Sequence, residues 1–131
     1  MHKEEGCLFC DENFSQHMIA DFGSVYAVYD SYAVTKGHVL IIPYGHSADY
    51  FHMSPEEKID VNVMLNKLHV KLIKEDKTIV GFNIGINCGE VAGQTIMHSH
   101  IHLIPRRDGD VEDPIGGIRN VIPGKGNYKK W

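Results

Sequence analysis

The first apolar run, Val25-Tyr26-Ala27-Val28-Tyr29, is built of β-branched and aromatic residues and predicts a strand. A turn-like stretch follows Asp30 as far as Lys36-Gly37. His38-Val39-Leu40-Ile41-Ile42 then runs apolar to Pro43, the pattern of a strand buried on both faces. At Ser54 the period changes. Ser54 suits a helix N-cap, Pro55 the first helical position, and Glu57 the reciprocal partner of a capping box. Val61, Leu65, Leu68 and Leu72 recur at spacings of four, three and four, one apolar stripe on a helix ending near Glu75-Asp76. Two further strands are expected, Gly81 to Ile86 and Met97 to Ile104. The tail, residues 108–131, is rich in Gly and Pro and is expected to be irregular. A helix set between two pairs of strands lacks βαβ alternation. The pattern predicts one α+β domain over residues 1–131 with an antiparallel sheet.

Composition narrows the function classes. Lys plus Arg is 13 against Asp plus Glu 17, a net charge of −4, which argues against a general nucleic-acid binder. No apolar run approaches the roughly 18 residues that span a membrane. The start, Met1-His2-Lys3-Glu4-Glu5, lacks the apolar core of a secretory signal, so a cytoplasmic protein is expected. Three cysteines (Cys7, Cys10 and Cys88) make no disulfide framework. Histidine is the unusual residue: nine in 131, each titrating near neutrality and able to ligate metal.

Three of the nine alternate. On a strand, His98, His100 and His102 project from one face, about 6–7 Å apart, and Ser99, Ile101 and Leu103 from the other. Upstream lies Cys88-Gly89-Glu90-Val91-Ala92-Gly93-Gln94-Thr95, whose glycines allow backbone N–H groups to form an anion-binding concavity. A solvent-facing strand, a metal centre and a catalytic row all fit this spacing. The spacing alone does not separate metal from covalent chemistry.

Gly93-Gln94-Thr95-Ile96-Met97-His98-Ser99-His100-Ile101-His102-Leu103-Ile104-Pro105-Arg106 resembles the signature of the histidine triad (HIT) superfamily. Cys7-Leu8-Phe9-Cys10 resembles that family's amino-terminal Cys-x-x-Cys. Asp30 with Gly37-His38-Val39-Leu40-Ile41-Ile42-Pro43 resembles its Asp…Gly-His-hydrophobic-Ile-Pro segment. The resemblance spans residues 7–107. It implies a HIT-like antiparallel sheet of about five strands with one long and one short helix, and a symmetric homodimer.

The resemblance also implies a chemistry. His100 would attack the α-phosphorus of a nucleotide as covalent nucleophile, with His102 at the phosphate oxygens and leaving group and His98 beside them. Asn87, Gly93, Gln94 and Thr95 align with phosphate-contacting positions, Asp30 with a ribose ligand, and His38 with a supporting histidine. A purine would lie near Leu8, Phe9 and Ser31, and Arg106 and Arg107 are candidates for outer phosphates. Cys7, Cys10, His46 and His98 would form a closed structural zinc site, one Zn2+ per chain, with His52 a competing ligand.

The function implied is a hydrolase of dinucleoside polyphosphates or nucleoside phosphoramidates that releases an AMP-type monophosphate. The segment Leu103-Ile104-Pro105-Arg106 resembles the fragile-histidine-triad (diadenosine polyphosphate hydrolase) branch. His102 stands where related uridylyltransferases carry glutamine, which favours hydrolysis over transfer. Two other classes compete: a purine-nucleotide-binding signalling module with vestigial hydrolysis, and a metal-dependent oxygenase using the histidines as ligands.

Overall fold

The computed structural model describes residues 1–130; Trp131, the end of the expected tail, lies outside the described residues. A short 3-10 turn, Leu8–Cys10, leads into helix α1 (Glu12–Ser15), whose N-cap Asp11 accepts from the Asn13 N–H. Strands β1 (Ala20–Phe22), β2 (Val25–Tyr29) and β3 (Val39–Pro43) follow. Helix α2 (Pro55–Glu75), β4 (Gly81–Gly85) and β5 (Ile101–Arg106) complete the regular elements. The strands form one antiparallel sheet in the order β1-β2-β3-β5-β4.

The expected capping box forms: Ser54 Oγ accepts the Glu57 N–H at 3.1 Å, and Glu57 Oε1 accepts the Ser54 N–H at 2.8 Å. The helix buries Val61, Leu68 and Leu72 as the stripe predicts, and adds Met64 and Asp60. Asp60 is a buried carboxylate that the hydrophobic pattern did not reveal. It accepts from the Ser24 N–H at 2.9 Å and the Ser24 hydroxyl at 2.7 Å, pinning the β1–β2 turn to the helix.

Strand alternation sorts the core into two layers. Val25, Ala27, Val39, Ile41, Ile101 and Leu103 face α2 and pack on Met64 and Leu68. Burying Met64 or Leu68 contributes on the order of 2 kcal/mol each. Tyr26, Val28, Leu40 and Ile42 face the other way and pack on Phe9 from the amino-terminal segment. β3 is buried along its whole length, as its unbroken apolar run predicts. His102 shares the face of Tyr26 and Leu40, opposite the helix.

Two boundaries differ from expectation. β1 is not among the expected strands, because the three residues Ala20-Asp21-Phe22 are too short a run for alternation to be read as a strand. The strand expected from Met97 begins only at Ile101. Before that residue the Ser99 N–H bonds to the Ser47 carbonyl (2.7 Å) rather than to a neighbouring strand, and the ladder with β3 stops at Ile41 opposite Ile101. Only His102 of the three histidines therefore belongs to the strand. Pro105, which has no N–H, is tolerated because pairing with β3 ends at Leu103. The tail adds two 3-10 turns, Gly117–Val121 and Tyr128–Lys130, in otherwise irregular chain. Among the described residues no helix is long and apolar enough to cross a membrane.

Candidate functional site

The bend before β5 gives each histidine its own environment. His98 is fully buried, and its Nε2–H donates to the Pro43 carbonyl at 2.7 Å. A carbonyl only accepts, so the proton sits on Nε2 and Nδ1 keeps its lone pair. That Nδ1 lies 3.4 Å from Cys7 Sγ and 3.4 Å from Cys10 Sγ, and His46 Nδ1 lies 3.5 Å from Cys10 Sγ. The four donor atoms lie within 4.8 Å of one another.

Tetrahedral zinc bonded to sulfur and nitrogen at ordinary lengths separates adjacent S and N ligands by about 3.5 Å. The cluster matches that edge length and is compatible with zinc. Burial pushes the His98 imidazole down to about 4, leaving it neutral, as a metal ligand must be. The Pro43 carbonyl is the outer partner that orients such a ligand. His52, the competing candidate, is instead exposed and bonded to Asp49 at 2.7 Å.

His100 makes the complementary choice. Its Nδ1–H donates to the His98 carbonyl at 2.8 Å, so Nε2 carries the lone pair. Phe9 packs edge-on against this ring, centroids 5.1 Å apart, and Tyr26 holds Phe9 in place through an O–H to the Phe9 carbonyl at 2.7 Å.

His102 takes its tautomer from a chain of two hydrogen bonds. The Val34 N–H donates to His38 Nδ1 at 3.1 Å, which places the His38 proton on Nε2. That Nε2–H donates to His102 Nδ1 at 2.9 Å. His102 is thereby left with its proton on Nε2. Burial first, then the His100 and His38 rings, pushes His102 down to about 4. Burial likewise lowers His38, against the opposing pull of Asp30, whose Oδ2 stands 3.4 Å from His38 Nε2.

Asp30, His38 and His102 also lie close enough to be considered as metal ligands. Two nitrogens on a tetrahedral zinc stand about 3.3 Å apart, however, whereas these are 2.9 Å apart and joined by a proton. A hydrogen-bond relay describes this trio better than a metal centre.

His100 and His102, ring centroids 5.3 Å apart, line one cavity of about 280 Å³. Leu8, Phe9 and Ser31 border it, as expected, and Asp30, Asn87, Gly93 and Thr95 border it too. Phe14, Tyr32 and Ile96 add apolar wall. Phe14 and Tyr32 sit at sequence positions with no periodic or motif signal that could have found them, whereas Ile96 lies within the signature segment, which does not single it out. Asp30 also makes the ordinary Asx turn, accepting the Tyr32 N–H at 2.9 Å.

Gln94 is placed differently from expectation. It is buried: its Oε1 accepts the Gly89 N–H at 2.8 Å, and its Nε2 donates to the Ala48 and Ile96 carbonyls. Its side chain braces the 88–96 loop rather than bordering the cavity. Gly89 and Gly93 have φ of 96° and 97°, which this loop requires and which other residues rarely adopt. Arg106 and Arg107 are likewise committed elsewhere: Arg106 forks onto Asp110, and Arg107 bonds Asp76, Thr78, Thr35 and the Lys36 carbonyl.

A five-stranded antiparallel sheet with one long helix behind it and a histidine cluster in front defines a class, and comparison with known proteins names it. Residues 12–109 match the HIT domain model. A HIT family protein of Bacillus anthracis superposes with a TM-score of 0.73 at 36% identity, covering 82% of this chain and 77% of that one. A Zn-bound histidine triad family protein of Mycobacterium smegmatis gives a TM-score of 0.69 at 30% identity, covering 80% and 78%. An AP-4-A phosphorylase of Mycobacterium tuberculosis is 33% identical over 102 residues, 76% of this chain and 51% of that protein. This chain thus spans about half the length of the phosphorylase. The chain belongs to the HIT domain family.

Proposed function

We propose that the protein hydrolyses nucleotides at the α-phosphorus, through a covalent nucleotidyl-His100 intermediate, releasing a nucleoside monophosphate. The observation that carries this reading is the opposite tautomers of His100 and His102 in one cavity. His100 presents the Nε2 lone pair of a nucleophile, and His102 presents an Nε2–H donor for the phosphoryl oxygens and the departing atom. The mycobacterial relative is named as a phosphorylase, which supports a nucleotide substrate with phosphate rather than water as acceptor; a structural neighbour, from Plasmodium falciparum, is named as a diadenosine triphosphate hydrolase. Phe9, Leu8 and Ile96 suit a stacked purine, Asp30 the ribose hydroxyls, and Asn87, Gly93 and Thr95 the phosphate oxygens.

Cys7, Cys10, His46 and His98 would hold a structural zinc. With all four positions filled by protein, such an ion supplies rigidity rather than an activated water. Such an ion would tie the amino-terminal segment to His98, whose carbonyl orients His100.

The test is incubation with adenosine 5′-phosphoramidate and with a diadenosine polyphosphate, followed by mass spectrometry of the quenched protein. An adenylyl group on His100 is expected. Turnover by a His100→Ala variant at the wild-type rate would overturn the reading.

A symmetric homodimer is also proposed, since β4 is an edge strand with Ile84 exposed and α2 carries Ile59 and Val70 on its outer side. A monomeric mass in sedimentation equilibrium at micromolar concentration would contradict it.

A further inference from the structure

Cys7 and Cys10 stand at the two ends of one 3-10 turn, in which the Cys10 N–H donates to the Cys7 carbonyl at 3.2 Å. A 3-10 turn rises about 2 Å per residue with positions three apart nearly eclipsed, which sets these two α-carbons about 6 Å apart on one side of the turn. That separation lies in the range a disulfide spans without moving the backbone. Both sulfurs converge on one atom, His98 Nδ1, at 3.4 Å each. An open cavity of about 450 Å³, walled by Lys3, Glu4, Glu5 and Gly6, reaches both cysteines from outside. Cys7 is half-buried and Cys10 buried, so Cys7 offers the more accessible sulfur.

The other two donors of the cluster are histidines held by bonds of their own. The His98 Nε2–H donates to the Pro43 carbonyl, and the His46 backbone N–H donates to the His2 carbonyl. Joining the sulfurs removes two of four ligands at once and leaves two imidazoles, too few for a closed tetrahedral zinc. The residues between the cysteines are the ones that face the nucleotide cavity. Leu8 and Phe9 border the space of His100 and His102, and the Phe9 ring packs on both His98 and His100, centroids 5.8 and 5.1 Å away. A change of the pair from two metal-bound sulfurs to one disulfide therefore reaches the proposed purine wall through a bridge of two residues. Cys88, the third cysteine, lies outside the cluster.

We propose that Cys7 and Cys10 are a peroxide-sensitive modification site, whose oxidation to a disulfide releases zinc and weakens nucleotide binding. The inference rests on the zinc ligation and the nucleotide site proposed above. The Cys7 sulfur attacks one oxygen of hydrogen peroxide: an S–O bond forms, the O–O bond breaks, and the departing hydroxide takes a proton to leave as water. The Cys10 sulfur then attacks the Cys7 sulfur; the S–S bond forms, the S–O bond breaks, and the second hydroxide takes a proton. The two sulfurs together lose two electrons, which the peroxide gains. The sum is two thiolates, hydrogen peroxide and two protons giving one disulfide and two waters. A thiol reductant reverses it by exchange at the same sulfurs.

The test treats the full, zinc-loaded chain with hydrogen peroxide and follows three quantities: zinc freed to a chromogenic chelator, the masses of the peptides that contain Cys7, Cys10 and Cys88, and the Kd for AMP. One zinc freed per chain and an intramolecular Cys7–Cys10 disulfide are expected. The Kd for AMP should rise by about tenfold, the scale of one or two lost apolar contacts. Dithiothreitol with added zinc should restore all three, and Cys88→Ser should respond as the wild type does. Zinc retained at a peroxide dose that oxidises Cys88 overturns the proposal. So does a Cys7–Cys10 disulfide that leaves the Kd for AMP unchanged. A reduced chain that binds neither zinc nor AMP instead refutes the zinc ligation and the nucleotide site proposed above.

Discussion

The carbonyl of His98 accepts the Nδ1–H of His100 at 2.8 Å. One peptide group thus links the cysteine–histidine cluster to the imidazole with the free nitrogen. Disturbing the cluster reaches the reactive ring by way of backbone, without any change to the ring itself.

Removing the imidazole should stop the chemistry while sparing the fold. His100→Ala is expected to lower phosphoramidate turnover by at least about 10³-fold, the scale seen when a covalent nucleophile is deleted. The thermal midpoint should move little, since the residue lines a cavity. Rates from product chromatography and a melting curve on the same sample check both statements.

Removing a corner of the cysteine–histidine cluster should have the reverse profile. His46→Ala is expected to drop the zinc content well below one per chain and to lower the thermal midpoint, because a buried tetrahedral site contributes folding energy directly. Elemental analysis of the purified variant is the check, and a metal content equal to wild type would contradict the assignment.

His38 should act through His102. His38→Ala frees His102 Nδ1 to take the proton that the Val34–His38 relay keeps on Nε2. Turnover is expected to fall by about 10²-fold for an alkyl phosphoramidate, within the usual range for one acid–base partner. For a nucleotide ester whose leaving group needs no proton, such as p-nitrophenolate, the loss should be much smaller. A purely structural role would depress both substrates alike.

Acid should destabilise the protein in a defined window. His38 and His102 both have folded-state pKa values lowered by burial, His102 to about 4, against about 6.5 when unfolded. A lowered histidine pKa means the unfolded chain binds protons first. The stabilisation is complete above about pH 6.5 and is lost as pH falls toward 4. Denaturant titrations between pH 7 and 4.5 should show falling stability, and His102→Gln should flatten the slope.

Tyr26→Phe tests the support behind the purine wall. It leaves the buried Phe9 carbonyl without its 2.7 Å donor, at an expected cost of about 1–2 kcal/mol in denaturant unfolding. KM for the nucleotide should rise as Phe9 loosens.

Much of the fold was written locally. The capping box at Ser54 and Glu57, the Val61-Leu68-Leu72 stripe and the doubly buried β3 follow from contacts within a few residues or from period, so sequence pattern reveals them. The candidate residues were legible too, because Cys-x-x-Cys and alternating histidines are rare combinations. What the Gln94 side chain does is not legible from its motif position: it braces its own loop, through bonds to Gly89, Ala48 and Ile96 that only the folded chain brings together.

By itself, the sequence determined an α+β HIT domain and nominated three histidines for separate work. Only the tertiary structure decided which nitrogen of each is available. Imidazole is symmetric enough that its tautomer is set by the partner it meets; for His98 and His102 those partners come from far along the chain, while His100 takes its own from the His98 carbonyl two residues back. The Pro43 carbonyl frees Nδ1 of His98 toward the cysteines, and the Val34 N–H, through His38, leaves the His102 proton on Nε2. Periodicity within one segment carries no information about a hydrogen bond made across the sheet.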